Sequence, residues 1–246
     1  LGLALALDAS ALRDDLRILV MSATIDGARV AALLDGAPVV VSEGRAFPVE
    51  TIWRERDPLI RMEDQVTGVV LDALREQPGS ALVFLPGQAE ISRVAERLEG
   101  RVPGDVDIAP LYGQLTPEEQ DRAVQPAPEG RRKVVLATSI AETSLTIEGV
   151  RIVVDSGLRR APAYEPATGL TVLETRKVSR ASADQRRGRA GRVEPGVCYR
   201  LWGEGQQAAL SPFDAPEMLE ADLSGLALDL AGWGVSDPAQ MRFLDP

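Results

Sequence analysis

The stretch RKVVLATSIAETSLTIEGVRIVVDSG, residues 132–157, decides the fold. An apolar run at 132–138 leads into a turn that carries Thr138, Ser139, Thr143, Ser144 and Thr146. A second apolar run, 150–155, ends at Asp155. Neither run alternates apolar with polar residues, so each is expected to be a strand buried on both faces, as in a parallel sheet. Hydroxyls and helix-start amides at the C-terminal edge of such a sheet can hold a phosphodiester backbone. Helix capping accounts equally for one or two of them.

The pattern repeats outward from this segment. Further apolar runs lie at 16–22, 37–42, 49–54, 80–86, 106–112 and 196–202. Helical periodicity occupies 61–77, 87–99 and 116–123. In 87–99, Ile91, Val94, Ala95 and Leu98 share one face, and Gly100 follows as a stop. Alternating strands and helices predict an α/β fold with an open, mostly parallel sheet and helices on both faces. The polar, Pro-containing segment 42–50 suits a linker between domains. After Trp202 the strand pattern stops. Residues 216–234 predict a helix with Leu219, Leu223, Leu226, Leu230 and Trp233 on one face, the start of a different, helical unit. There is no internal repeat.

Composition narrows the chemistry. The 246 residues contain no histidine and one cysteine, Cys198, which excludes a zinc site, an intrachain disulfide and a histidine-based triad. In GVCYRLW, Cys198 reads as a buried strand residue. No apolar run is long enough to cross a bilayer, and LGLALAL at the start lacks a basic flank, so a soluble, cytoplasmic protein is expected. The chain starts at Leu1 rather than methionine and is expected to be a piece of something longer.

Net charge is −10, yet residues 151–200 hold eleven Arg and Lys against five Asp and Glu. Screening confines charge effects to about 10 Å, so a local basic face can meet an anion on an acidic body. That face centres on DQRRGRAGR, 184–192, with Arg186, Arg187, Arg189 and Arg192. Gln185, Arg189 and Arg192 recur at helical spacing and share a face, with Arg186 and Arg187 off it. Guanidinium forks match phosphate oxygens, and the small residues 188, 190 and 191 let another surface approach. The alternative is a solvated basic helix.

Read together, MSATID, LVFLPGQAEI, PLYGQLTPEEQ, ATSIAETSLTIEGVRIVVDSG and QRRGRAGR resemble, in order and spacing, the superfamily 2 helicases of the DEAH/RHA type, and most of all their bacterial HrpB branch. The resemblance covers essentially the whole chain. It implies a RecA-like, P-loop NTPase-type fold and the following division: 1–42 as the end of a first RecA-like domain, 43–50 as the linker, 51–203 as the second RecA-like domain, and 204–246 as the start of a winged-helix unit. It implies an ATP-dependent RNA helicase, with ATP and Mg²⁺ bound mainly by the first domain, RNA as partner and a monomeric state. Arg189 and Arg192 would be arginine fingers on the γ-phosphate, and Gln185 would contact that phosphate or the attacking water. Thr146 and Asp155 would lie toward the nucleotide. Thr138, Ser139 and Thr143 would touch the RNA backbone, and Ser22 and Thr24 would couple hydrolysis to domain movement.

The sequence also departs from the family. It contains no G-x-x-x-x-G-K-[ST] run to cradle triphosphate and, lacking histidine, no DEAH box to place Mg²⁺. The chain alone is therefore expected to hydrolyse no ATP, and no metal site is expected within it. The 16–22 strand is expected to lack its parallel neighbours and to be sticky or poorly ordered. Ser139 stands where the family commonly has asparagine. The competing reading is a non-hydrolysing RecA-like module that binds single-stranded RNA or regulates a partner.

Overall fold

The computed structural model describes residues 1–21, 27–41, 47–143, 147–219 and 221–244. In chain order the elements are α1 (Gly2–Ser10), α2 (Gly27–Leu33), β1 (Val49–Trp53), α3 (Met62–Glu76), β2 (Ser80–Phe84), α4 (Gln88–Leu98), β3 (Val106–Leu111), α5 (Pro117–Val124), β4 (Arg132–Ala137), α6 (Ile140–Thr143), β5 (Val150–Asp155), β6 (Leu158–Glu165), β7 (Leu170–Lys177), α7 (Arg180–Gly188), β8 (Gly196–Arg200), α8 (Glu204–Gln207) and α9 (Ser224–Trp233).

Six strands form one sheet in the order β1-β8-β5-β2-β4-β3, every pair parallel. The continuous apolar runs explain this. All five residues of β2 are buried, so both faces of the strand need cover. Strand alternation sends Ala81, Val83, Val134, Leu136, Ile152 and Val154 to one side, where they pack on Val66, Val70, Ile91, Val94 and Leu98 of α3 and α4. Leu82, Phe84, Val135, Ala137, Val153 and Cys198 go to the other side, against Ala123, Ala141 and Ala190. The open, parallel α/β sheet with helices on both faces expected from the sequence is the one present.

The helices end where local chemistry ends them. Thr116 and Glu119 form a reciprocal capping box at the start of α5, with Pro117 in its first turn. Chain order reverses across β2, with β4 on one side of it and β5 on the other. The loops after these strands therefore open at the carboxyl edge where α/β sheets bind ligands.

Two expectations need correction, and one further element was not foreseen. Residues 16–21 and 37–41 form no strand, and Met21 and Val40 are 81% and 90% exposed. An apolar run becomes a strand only with a ladder partner, and none pairs with them among the described residues. The helix expected over 216–234 is shorter. A 3₁₀ turn occupies Glu217–Leu219 and α9 starts only at Ser224, whose amide donates to the Asp222 carboxylate (2.9 Å). Leu230 is its buried residue, whereas Leu219 and Leu223 are exposed. Finally, β6 and β7 form a two-stranded sheet the periodicity reading missed. The short turn between them, closed by Gly169 at φ +70°, leaves room only for a hairpin.

By packing, the chain divides into two units. One comprises Gly44–Ala161 and Leu173–Asp214 and contains the six-stranded sheet. The other comprises Leu1–Glu43, Pro162–Val172 and Ala215–Pro246. Its small core joins Ala4, Leu230 and Met241, and the Trp233 indole donates to Asp8 (2.8 Å).

Candidate functional site

The site lies within the sheet unit, where the loops after β4 and β5 meet α7 and the turn beyond it. Ser179 starts α7 by accepting the Ser182 amide (3.1 Å). The helix runs to Gly188 and tightens into a 3₁₀ turn at Arg189–Gly191. Gly191 is required there: a Cβ would lie 2.6 Å from both the Phe47 carbonyl oxygen and Val49 Cγ2.

The four arginines of this segment have four different environments. Arg186 is fully buried. Its Nε donates to Glu142 Oε1 (2.7 Å), and its Nη1 donates to Asp155 Oδ1 (2.8 Å) and to the Leu158 carbonyl (3.2 Å). Its guanidinium also lies 4.8 Å from the centroid of the Phe84 ring. Burial pushes its pKa down, but the facing Asp155 and Glu142 carboxylates outweigh this and hold it above its ordinary value. Arg189 is also buried, and it donates to the Glu142 backbone carbonyl. Burial first, then the neighbouring charge of Arg192, push its pKa down to about 10, which leaves it cationic at neutral pH. Arg187 is half-buried and donates to the Val49 carbonyl (3.4 Å). Arg192 is exposed.

Gln185 is half-buried, so of the three residues Arg189 lies deepest, Gln185 is intermediate and Arg192 reaches solvent. Asp155 closes β5 fully buried. Its Oδ1 accepts from Arg186 and from the Gly157 amide (2.9 Å), so its carboxylate faces α7 rather than an open cleft. Thr138 follows β4 half-buried, and Ser139 is exposed. Their carbonyls accept the amides of Ala141 and Glu142 and so begin the single turn of α6. Thr143 ends that turn. Its side chain, and all of Ser22, Thr24 and Thr146, lie outside the described residues.

Sequence reasoning set Arg186 aside and gave Glu142 no role. The signal was present. Ser182 and Ala183 stand four and three residues before Arg186 and are small, so that stripe of α7 packs closely. The two carboxylates sit where apolar segments end.

Phosphate and metal fit this site differently. An exposed Arg192 beside Arg189 fits phosphate oxygens. No group of three acidic or cysteine side chains that could hold a metal ion occurs among the described residues. Asp155 Oδ2 has no hydrogen-bond partner there, but it is sealed from solvent. The residues present do not fit Mg²⁺.

The family model described as the helicase conserved C-terminal domain matches residues 64–194. The chain is 52% identical, over all 246 residues, to ATP-dependent RNA helicase HrpB of Escherichia coli (strain K12), covering 30% of that protein. It is 38% identical to the probable ATP-dependent RNA helicase DHX34 of Homo sapiens, with 95% of this chain and 22% of that protein aligned. It is 39% identical to the pre-mRNA-splicing factor ATP-dependent RNA helicase prp22 of Schizosaccharomyces pombe, with 95% and 21% aligned. The crystal structure of the Escherichia coli DEAH/RHA helicase HrpB superposes with a TM-score of 0.93 at 51% identity, over 99% of this chain and 31% of that one. The chain thus spans less than a third of the length of these relatives.

Proposed function

Because the chain belongs to the helicase conserved C-terminal domain family, we propose that it is the second RecA-like domain, with flanking pieces, of an ATP-dependent RNA helicase. In this reading residues 1–42 close a first RecA-like domain, 43–50 link the two, 51–203 form the second, and 204–246 begin a winged-helix unit. The observation that carries the reading is the spatial union of two motifs. The hydroxyl-bearing turn after β4 and the arginine-bearing turn after α7 are joined by Arg189 on the Glu142 carbonyl and Arg186 on the Glu142 carboxylate. One side of this union suits RNA phosphates and the other suits ATP phosphates.

The roles proposed rest on the family resemblance, with exposure and charge as support for the arginines. Arg192 reaches the γ-phosphate of ATP and stabilises charge as it develops, with Arg189 behind it. Gln185 orients a phosphate oxygen or the attacking water. Thr138, Ser139 and Thr143 hold the RNA backbone through hydroxyls and amides, which reads no sequence. By the family resemblance alone, Thr146 is assigned to the nucleotide, and Ser22 and Thr24 to coupling hydrolysis with domain movement. Asp155 acts indirectly, by fixing Arg186. A first RecA-like domain in cis supplies the P-loop and the Mg²⁺ site, and the protein works as a cytoplasmic monomer.

The 246 residues hold no G-x-x-x-x-G-K-[ST] run, so the chain by itself binds RNA without turning over ATP. Titration of a fluorescent single-stranded RNA into the chain at several salt concentrations tests the binding side. Affinity should fall linearly on a log–log scale as salt rises, and Thr138→Ala should weaken it by roughly fivefold, the worth of one hydrogen bond. Absence of RNA binding at low salt would sink this reading.

A further inference from the structure

Glu142 is the meeting point of the two motifs. Its carboxylate is nearly buried, with 12% of the side chain exposed. Oε1 accepts from Arg186 Nε (2.7 Å) and lies 2.6 Å from Arg186 Nη2, while Oε2 accepts from Ser182 Oγ (3.0 Å). Its backbone carbonyl accepts from Arg189, and its amide donates to the Ser139 carbonyl (2.9 Å). One residue thus contacts the hydroxyl turn, the body of α7 and the arginine beyond α7.

The far side of this arrangement is fixed. Arg186 is pinned by Asp155 at the end of β5, by the Leu158 carbonyl and by the Phe84 ring. β5 is flanked by β2 and β8 within the sheet, so that anchor cannot shift easily. The near side is a single helical turn following a half-buried Thr138 and an exposed Ser139. A ligand that displaces the backbone of 138–143 must therefore move the Glu142 carbonyl against a fixed α7. Arg189 is the group that reads this movement, because its guanidinium is bonded to that carbonyl.

We infer that Glu142 is a positioning residue that orients the Arg189 guanidinium according to whether Thr138, Ser139 and Thr143 hold RNA phosphates. The inference deepens the RNA-helicase reading and rests on it. It assigns the coupling between the two phosphate-facing sides to one side chain and its own carbonyl. Charge balance supports it: two carboxylates face Arg186, so the Glu142 carboxylate stays committed to α7 while its carbonyl serves Arg189.

The test is side-chain NMR of the arginine Nε–Hε groups in the 246-residue chain, with oligouridylate as the RNA probe and Arg189→Lys to assign the Arg189 signal. RNA affinity is measured in parallel by fluorescence anisotropy. In the unaltered chain, saturation with oligouridylate should shift the Arg189 signal. In Glu142→Gln the RNA should bind within about threefold of the unaltered affinity while the Arg189 response falls by at least half, because a neutral amide holds the Arg186 cation about half as strongly as a carboxylate does. Ser182→Ala, which keeps every charge, should reduce the response by about half; it carries the test if Glu142→Gln does not fold. Binding without an Arg189 response in the unaltered chain overturns the inference. So does an undiminished response in Glu142→Gln, or in Ser182→Ala where only that variant folds. Failure of oligouridylate to bind at all overturns the RNA reading itself, and the inference with it.

Discussion

Replacing Arg186 with methionine should destabilise the sheet unit by about 3–5 kcal/mol, the cost of stripping the partner from a buried charge. Both Arg186 and Asp155 side chains are 0% exposed and lie 2.8 Å apart. At that range, with an effective dielectric near 20, the attraction is on the order of 5 kcal/mol and offsets much of the desolvation of both ions. Methionine keeps most of the volume and can still pack on Phe84, so the cavity contribution is small. The Asp155 carboxylate, however, keeps only the Gly157 amide (2.9 Å). Urea denaturation followed by tryptophan fluorescence measures the loss directly, since Trp53 and Trp202 pack edge to face in this unit with centroids 6.0 Å apart. A thermal melt should shift by roughly 10 °C. Adding Asp155→Asn to Arg186→Met should recover at least half of the loss, because the orphaned charge is the cause. A loss below about 1 kcal/mol in the single variant, or no recovery in the double, would refute the buried ion network as a structural keystone.

Other changes test neighbouring parts of the account. Gly157→Ala should cost about 2 kcal/mol or more in the same denaturation experiment, because φ is +73° and a Cβ would lie 2.8 Å from the Trp202 ring; a neutral result would contradict the packing described. Burial pushes the Cys198 thiol up to about 12, so a thiol reagent at pH 8 should label the native chain only as fast as it unfolds, and prompt labelling would place Cys198 outside the core. Thr116→Ala should remove about 1 kcal/mol by deleting the α5 capping box, read from the urea midpoint. Glu63 titrates below its ordinary 4.5: burial pushes it up, but its backbone hydrogen bond and Arg93 together outweigh that. Its contribution to stability is therefore complete above pH 4.5 and lost as pH falls through its lowered value, so Glu63→Gln should flatten the acid limb of a stability–pH curve.

The parts of the fold legible in the sequence were those whose partners are also in the chain. Strands such as Ser80–Phe84 and Arg132–Ala137 read cleanly because both faces are covered, and a continuous apolar run has no other use. Helix α4 read within a residue because Gly87 and Gly100 flank an unbroken apolar stripe. The same signal misled at 16–21 and 37–41, where apolar content is high but no strand pairs with them among the described residues. The β6–β7 hairpin was missed for the opposite reason. Its residues are mostly exposed, so there is little hydrophobic pattern to read, and only the Pro-Ala-Thr-Gly turn marks it.

In the site, helical spacing placed Gln185, Arg189 and Arg192 along one path but carried no information on depth. Arginine is usually exposed, so a sequence reading ranks the four arginines by motif rather than burial. Only the positions of Glu142 and Asp155, brought from 44 and 31 residues away, show why Arg186 is the one inside.

The arginines beyond α7 are proposed to serve ATP hydrolysis in partnership with a first RecA-like domain. The most direct measurement is steady-state ATP turnover, with and without single-stranded RNA, by this chain alone and by its fusion to the first domain of a related helicase. A silent chain, an RNA-stimulated fusion and loss of that turnover on Arg192→Ala are expected. A fusion that stays silent, or one that turns over undiminished without Arg192, would contradict this proposal.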